Sequence, residues 1–365
     1  VIKYLGSKRR LVPALAALAR ASGARTALDL FTGTTRVAQA FKAEGLHVTA
    51  VDSARYAEIF ARCYVALDAR TVDRRELDQA LAYLDQLPGR PGYVTETFCH
   101  RARFFRPENG ARIDAVRQAL ADEFQDHPLF PVLLTSLIEA ADRVDSTTGV
   151  QMAFVKQWAP RALRPLQLRA PVLLEGEGRA VRGDAVALAP TLGSFDLAYL
   201  DPPYNQHRYD TNYHVWETLV AWDAPPHYGV ACKRLDARDP ATKSAFNARR
   251  RMPQALRATV AGVQADVLLL SYNDEAWLGV DELEDLCARY PCVTTLAFDS
   301  ARYVGARIGI HNPAGEKVGR VSHLRNRELV VVAGPRAVVR RLARAGAAAG
   351  ALSADRPAPP ASMVR

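Results

Sequence analysis

Two rhythms of apolar residues run along the chain. Ala27-Leu28-Asp29-Leu30-Phe31 is a short apolar run that stops at the turn Thr32-Gly33-Thr34-Thr35, and Val37 to Glu44 then reads as a helix. A second run, Leu46 to Val51, ends at Asp52. Strand, helix and strand in that order predict a β-α-β unit, the opening of a parallel sheet. From about 69 to 170 the rhythm becomes helical, broken at Pro88-Gly89, Pro91-Gly92 and Asn109-Gly110 and interleaved with arginines and aromatics. This stretch reads as a separate, mostly helical insertion. Short apolar runs return at Val172-Leu173-Leu174, Phe195 to Leu200, Ala265 to Ser271, Val293 to Phe298 and Glu328 to Ala333, all expected as strands. Residues 205–262 between them read as largely helical and basic. The Ala/Pro-rich end, 344–365, is expected to be disordered. No internal repeat interrupts this plan.

Length and composition narrow the class. A chain of 365 residues accommodates a large catalytic domain with a smaller inserted one. Its 49% hydrophobic and 24% charged residues are those of an ordinary globular protein. No apolar run approaches membrane-spanning length and the first residues do not resemble a signal peptide, so a cytoplasmic location is expected. Five cysteines (Cys63, Cys99, Cys232, Cys287 and Cys292) form no C-x-x-C pair, which argues against a disulfide framework and a zinc ribbon. Cys287 and Cys292 lack a nearby histidine to complete a ligand set, and they read as buried thiols. The net charge of +9 favours a nucleic-acid partner, and only 7 of the 48 basic residues are lysines. Arginine suits bidentate phosphate and guanine contacts, although a GC-rich coding sequence supplies the same bias.

The sharpest chemical signal is Asp201-Pro202-Pro203-Tyr204, placed directly after the apolar strand that ends Tyr199-Leu200. Ligand chemistry in open α/β sheets sits at the carboxyl ends of strands. Two prolines stiffen the turn and remove two backbone donors, leaving the Asp201 carboxylate and the Pro202 carbonyl as acceptors. An amino group on an aromatic ring is a poor nucleophile because its lone pair is delocalised. Two acceptors gripping its hydrogens pull the nitrogen towards tetrahedral geometry and aim it at an activated methyl, at about 3–3.5 Å in a near-attack arrangement. Tyr204 offers a face on which an extruded base can stack. The chemistry calls for no metal.

A second signal is the turn Asp29-Leu30-Phe31-Thr32-Gly33-Thr34-Thr35-Arg36, with Gly33 where backbone approaches a ligand. Asp52, closing the next strand, can accept hydrogen bonds from ribose hydroxyls. The absence of G-x-G-x-x-G counts against a dinucleotide and suits a cofactor without phosphates. Asp184, in Arg182-Gly183-Asp184, reads either as a plain turn or as a partner for an adenine amino group. Lys3-Tyr4-Leu5-Gly6-Ser7-Lys8, by itself, is a basic solvated start that could bring an aromatic and an amine beside the cofactor.

Taken together, these segments resemble the D12 class of adenine-specific DNA methyltransferases, to which the Dam enzymes belong. The order K-[YW]-x-G-[GS]-K, then [DE]-x-F-x-G, an insertion and D-P-P-Y is reproduced from residue 3 to residue 204. Arg103 to Gly110, Ile113 to Arg117, Ala140 to Val144, Asn212-Tyr213-His214 and Ser271-Tyr272-Asn273 also resemble members of the class. The resemblance implies a Rossmann-like class I methyltransferase fold: a mostly parallel sheet, helices on both faces and a C-terminal β-hairpin. It implies a catalytic domain split into 1–68 and 171–343, a target-recognition insertion over 69–170, and S-adenosylmethionine as cofactor. By the same comparison Tyr4, Lys8, Asp52 and Asp201 contact or border the cofactor, and Asp29, Phe31, Gly33 and Asp184 complete its pocket. Lys3 would touch the DNA, with Arg101, Arg103, Arg106 and Arg112 as candidate base or phosphate readers. Arg249-Arg250-Arg251 could track the backbone or form a solvated face. The implied partner is duplex DNA, handled by a monomer, with room for a separately acting restriction endonuclease. Val1 stands where a start methionine is expected and suggests a valine-encoded start codon with little or nothing missing upstream.

Competing readings remain open. Asp-Pro-Pro-Tyr alone does not separate DNA from ribosomal RNA as substrate, although a large insertion suits groove reading in a duplex. A DNA-binding relic without catalysis is opposed by the intact Asp201 and Gly33 turns, and a nicotinamide dehydrogenase by the missing diphosphate-binding glycines.

Overall fold

The computed structural model of the chain describes residues 2–6, 8–204, 206–273, 276–301 and 325–353. Val1 and Ser7, which belong to the motif at the start of the chain, lie outside the described residues, as do 354–365 of the tail. Strands β1 (Thr26–Leu30), β2 (His47–Asp52), β3 (Gly178–Arg182) and β4 (Ser194–Leu200) come first. The two-residue strands β5 (His227–Tyr228) and β6 (Lys233–Arg234) pair only with each other, and β7 (Gln264–Asn273), β8 (Cys292–Ala301), β9 (Arg325–Gly334) and β10 (Leu352–Ser353) follow.

All but the β5–β6 pair join one eight-stranded sheet in the order β10-β8-β9-β7-β4-β1-β2-β3. From β3 to β7 the pairing is parallel; β9 then runs antiparallel to both β7 and β8, and β10 antiparallel to β8. The expected mostly parallel sheet with a C-terminal hairpin is therefore present. From β1 the chain first fills the sheet outwards through β2 and β3. It then returns to lay β4 on the other side of β1. That reversal opens a crevice at the carboxyl ends of β1 and β4, with Leu30 opposite Leu200 on one side and Val51 on the other.

Both faces of the sheet are covered, which explains the unbroken apolar runs. Along β4, Leu197 and Tyr199 enter one core, while Ala198 and Leu200 enter the other. The first face packs helices α1 (Val12–Ser22), α2 (Arg36–Ala43) and α3 (Arg55–Ala61), the last of which runs on into a π-helical turn, Arg62–Ala66. Helices α4 (Arg74–Gln86), α5 (Pro107–Glu123) and α6 (Phe130–Arg143) form the insertion. The insertion is helical but not separate. α6 is buried along nearly its whole length and shares one continuous core with α1 to α3 and the sheet. Short α7 (Ala185–Leu188) and α10 (Met252–Gly262) pack the second face with α11 (Val280–Leu286). Between them in sequence lie α8 (Tyr209–Asn212) and α9 (His214–Ala221), and α12 (Arg336–Ala348) closes the first face. Local signals set the ends. Pro13 starts α1, Gly23 ends it in a left-handed cap whose N–H donates to the Arg20 carbonyl, and the Asp73 side chain caps α4.

Several expectations need correction. Val172-Leu173-Leu174 is not a strand: Val172 is 80% exposed, and the strand in this part of the chain is β3. Gly-Arg-Ala-Val-Arg escaped notice because an edge strand buries little and needs no apolar run. Residues 205–262 hold α8, α9 and α10, but 222–251 is a hairpin and single turns, since Pro225, Pro226, Gly229 and Pro240 break helical hydrogen bonding. The stretch from 344 to 353 is not disordered, because α12 runs to Ala348 and Leu352–Ser353 pairs with β8. Val339 and Leu342 on the buried face of α12 account for this; the alanines around them follow as helix formers. Of the two cysteines read as buried thiols, Cys287 is buried, while Cys292, at the start of β8, is only partly so. No helix among the described residues is long and apolar enough to cross a membrane.

Candidate active site

A cavity of about 640 Å³ opens at the carboxyl ends of β1, β2 and β4. Its wall on the β1 side is the turn after that strand. Phe31 and Thr32 both donate their N–H groups to the Val51 carbonyl, which folds the chain sharply towards β2. Phe31 (φ 75°) and Thr35 (φ 60°) are held left-handed, a strain that non-glycine residues tolerate mainly at functional sites. Gly33 (φ 51°) has two reasons to be glycine: a Cβ there would also lie 3.2 Å from the Tyr4 ring. The Gly33 N–H donates to Asp52 Oδ2 (2.9 Å) and the Ala54 N–H to Oδ1 (2.9 Å), so the last residue of β2 is oriented by backbone. Burial nevertheless pushes the Asp52 carboxyl above its ordinary value.

Asp29 lies deeper. Its Oδ2 accepts from the Thr32 hydroxyl (2.8 Å) and the Ala38 N–H (3.0 Å), which ties β1 to α2. Burial raises its carboxyl to about 7, against the pull of the Thr32 hydrogen bond. Tyr4 is clamped in an aromatic stack, 4.7 Å from the Tyr213 ring and 5.3 Å from Tyr209, with its hydroxyl 3.1 Å from that of Tyr56.

On the β4 side, Asp201, Pro202, Pro203 and Tyr204 all face the cavity. Lys8 Nζ lies 3.1 Å from Asp201 Oδ1 and 2.9 Å from Glu328 Oε2, and 5.8 Å from the Tyr204 ring centre. Burial raises the Asp201 carboxyl to about 6; Lys8 opposes the shift and Glu328 adds to it. Burial works against the Lys8 charge, but the two carboxylates outweigh it and hold the ammonium well above its ordinary value. Tyr204 packs edge-on against Tyr272 (5.4 Å) and lines the cavity. Asp184 lines the same space while its Oδ1 accepts from the Val186 and Ala187 N–H groups, capping α7. Every residue expected to be catalytic or cofactor-binding thus borders one cavity.

The expected DNA readers do not border it. Lys3 Nζ is 2.9 Å from Asp142 and 3.3 Å from Asp145, two buried carboxylates, so it acts as a tether between the first residues and the end of α6. Arg112 donates to the Asp85 carbonyl (2.6 Å) and is mostly buried. Arg101 and Arg106 form exposed pairs with Glu96 and Glu108, while Arg103 donates to the Lys156 carbonyl and covers the Trp158 ring at 4.7 Å. The family-like segments of the insertion are architectural. Asp114 accepts from the N–H groups of Gly92, Val94 and Thr95, Asn109 bonds Arg164 and Leu166, and buried Arg117 donates to the Leu219 and Val220 carbonyls at the end of α9.

Several site residues carry too little sequence signal to be found by motif. Tyr209 and Phe246, which packs edge-on at 4.9 Å against Phe31, belong to no motif of their own. Arg251 lines the cavity from the exposed basic run ahead of α10, and only that run points towards it. Glu328 gives no signal beyond the start of an apolar run.

Residues 4–283 match the family described as D12 class N6 adenine-specific DNA methyltransferase. Over 273 residues, 72% of this chain and 79% of the relative, the sequence is 31% identical to type II methyltransferase M.NlaIII of Neisseria lactamica. It is 25% identical to modification methylase LlaI of Lactococcus lactis subsp. lactis over 79% of this chain and 49% of that protein. With type II methyltransferase M.FokI of Planomicrobium okeanokoites it shares 26% identity over 78% of this chain and 46% of that protein, so the chain spans about half of the two longer relatives.

Proposed function

The chain belongs to the D12 class of N6 adenine-specific DNA methyltransferases, and from that premise we propose that it methylates N6 of an adenine swung out of duplex DNA, using S-adenosylmethionine. The observation that carries this reading is the convergence of the β1 turn, Asp52 and Asp201-Pro202-Pro203-Tyr204 on a single cavity.

The residues present fit the cofactor. About 640 Å³ is in the range of small-molecule pockets. Asp52 can accept from ribose hydroxyls with lone pairs beyond those used by Gly33 and Ala54. Gly33 lets the backbone come close, and Tyr4, Lys8, Asp29, Phe31 and Asp184 complete the enclosure. When bound, S-adenosylmethionine supplies an electrophilic methyl group. Asp201 and the Pro202 carbonyl accept the two hydrogens of the adenine amino group, localising its lone pair. The stiff double-proline turn fixes the direction of that lone pair, and Tyr204 stacks on the base. After transfer the excess proton leaves to Asp201 or to solvent. The acceptor role requires the ionised carboxylate, so turnover falls as pH drops through about 6.

The insertion 69–170 is the proposed target-recognition element, with exposed Arg101 and partly exposed Arg103 and Arg106 better placed for DNA than Lys3, which is spent on Asp142 and Asp145, or Arg112, which is spent on Asp85. The named relatives are two type II methyltransferases and a modification methylase, which supports a restriction-modification or marking role in the cytoplasm and a cognate endonuclease acting separately.

Incubation with methyl-labelled cofactor and either duplex DNA or total RNA tests the reading. Label recovered as N6-methyladenine from DNA, and lost in Asp201→Ala with DNA affinity retained, is expected. Label in RNA alone, or on another base, would overturn it. Long-read sequencing of DNA from a methylation-free host then reveals the recognition sequence.

A further inference from the structure

Glu328 lies beyond residue 283, where the family match ends, yet its carboxylate stands in the site. The sheet explains why. β9 is antiparallel to β7, so its first residues arrive at the edge where the parallel strands finish, and Glu328 pairs directly with Asn273. Asn273 Nδ2 lies 3.3 Å from Glu328 Oε1, and the other oxygen is 2.9 Å from Lys8 Nζ. Lys8 is 7% exposed and is shared between this carboxylate and Asp201, 3.1 Å away.

We infer that Glu328 is a positioning residue for the methyl-transfer site: it holds Lys8 in a shared ion pair, so that Asp201 is kept charged by the lysine without being sealed to it. A buried ammonium facing one carboxylate alone would close onto it as a tight pair, and the lone pairs that must accept an amino hydrogen would be spent on lysine. A second anion on the opposite side balances the ammonium between the two. Lys8 from the N-terminal segment and Glu328 from β9 act most strongly on Asp201; Asp29 from β1, Tyr199 from β4 and Tyr209 from the chain that follows feel its charge, and Tyr204 lines the same cavity. The tyrosine hydroxyls around Asp201 that burial raises (Tyr199 and Tyr209) stay neutral through the working range. Asp29, raised to about 7, feels Asp201 but not Glu328 among its principal influences, so Asp201 is the carboxylate on which Glu328 acts directly.

The inference rests on the proposed role of Asp201, and the test separates the two. The full chain is compared as wild type, Glu328→Gln, Glu328→Asp and Asp201→Ala, with kcat and KM measured from pH 5 to 9. Glu328→Gln removes a neighbouring negative charge, so the acid limb of kcat moves about one pH unit lower. At the same time the plateau kcat falls about tenfold, as Lys8 closes on Asp201, while KM for DNA holds. Glu328→Asp retains the charge at a greater reach and moves the limb in the same direction by less. A limb unmoved in both variants, or moved upwards, overturns the inference. If Glu328→Gln does not fold, as judged by its melting curve, Glu328→Asp alone decides on the same criterion. Turnover persisting in Asp201→Ala would instead sink the functional reading itself.

Discussion

Replacing Lys8 with methionine tests the electrostatics of the site most directly. The substitution keeps the length and apolar stem of the side chain and removes only the ammonium. At 3.1 Å and an effective dielectric constant of about 20, Lys8 stabilises the ionised Asp201 by about 5 kcal/mol. The Asp201 side chain is 19% exposed, and water entering beside it would take over part of this; halving the figure is a conservative allowance. At 1.36 kcal/mol per pH unit, about 2.5 kcal/mol moves the titration by about two pH units. The direction is upwards, because losing a cation disfavours the charged carboxylate, and Glu328 is left as an unbalanced neighbour. Wild-type turnover should reach its plateau above about pH 7, since Asp201 titrates at about 6. The variant at pH 7.5 should fall by at least about fourfold and regain most of that loss two pH units higher. Single-turnover methylation of a short duplex, with cofactor saturating and pH varied from 6 to 10, reads this without interference from product release. A variant equally impaired at every pH would refute the argument: Lys8 would then act by touching a ligand rather than by keeping Asp201 charged.

Two further outcomes follow from the same geometry. Tyr204→Ala should lower kcat/KM by roughly 5- to 150-fold, the range of about 1–3 kcal/mol for one base stacked on an aromatic ring, whereas Tyr204→Phe should be mild. Fluorescence of 2-aminopurine at the target position should show weaker extrusion in the alanine variant only. Asp114→Ala strands the N–H groups of Gly92, Val94 and Thr95 and should cost about 2–3 kcal/mol of stability in denaturant titration, while the methylated sequence stays the same. A change of sequence preference with stability intact would make Asp114 a DNA reader instead.

Features governed by near neighbours in the chain are legible in the amino-acid sequence. An apolar strand ended by Asp-Pro-Pro-Tyr, and another ended by a turn around Gly33, are local statements about backbone and donors. Most of the residues proposed for catalysis and cofactor binding stand out because they sit at the end of such a strand. Where burial is one-sided the pattern misleads. β3 is an edge strand with two apolar residues, and α12 hides its few core contacts among alanines and arginines that read as a loose tail. The arginines of the insertion illustrate a different limit. Charge and position cannot say whether a guanidinium meets solvent, as Arg101 does, or a backbone carbonyl, as Arg112 does.

By itself, then, the order of residues determined most of the central strands, the turns that follow β1 and β4 and the acceptors at the tip of β4, because each depends on groups a few bonds apart. Tertiary structure alone decided that Lys8 and Glu328, 320 positions apart, meet across the end of β7 and divide one positive charge with Asp201. The physical reason is range: backbone preference acts between adjacent residues, whereas an ion pair in a crevice exists only after strand order and direction have brought distant side chains within a few ångströms.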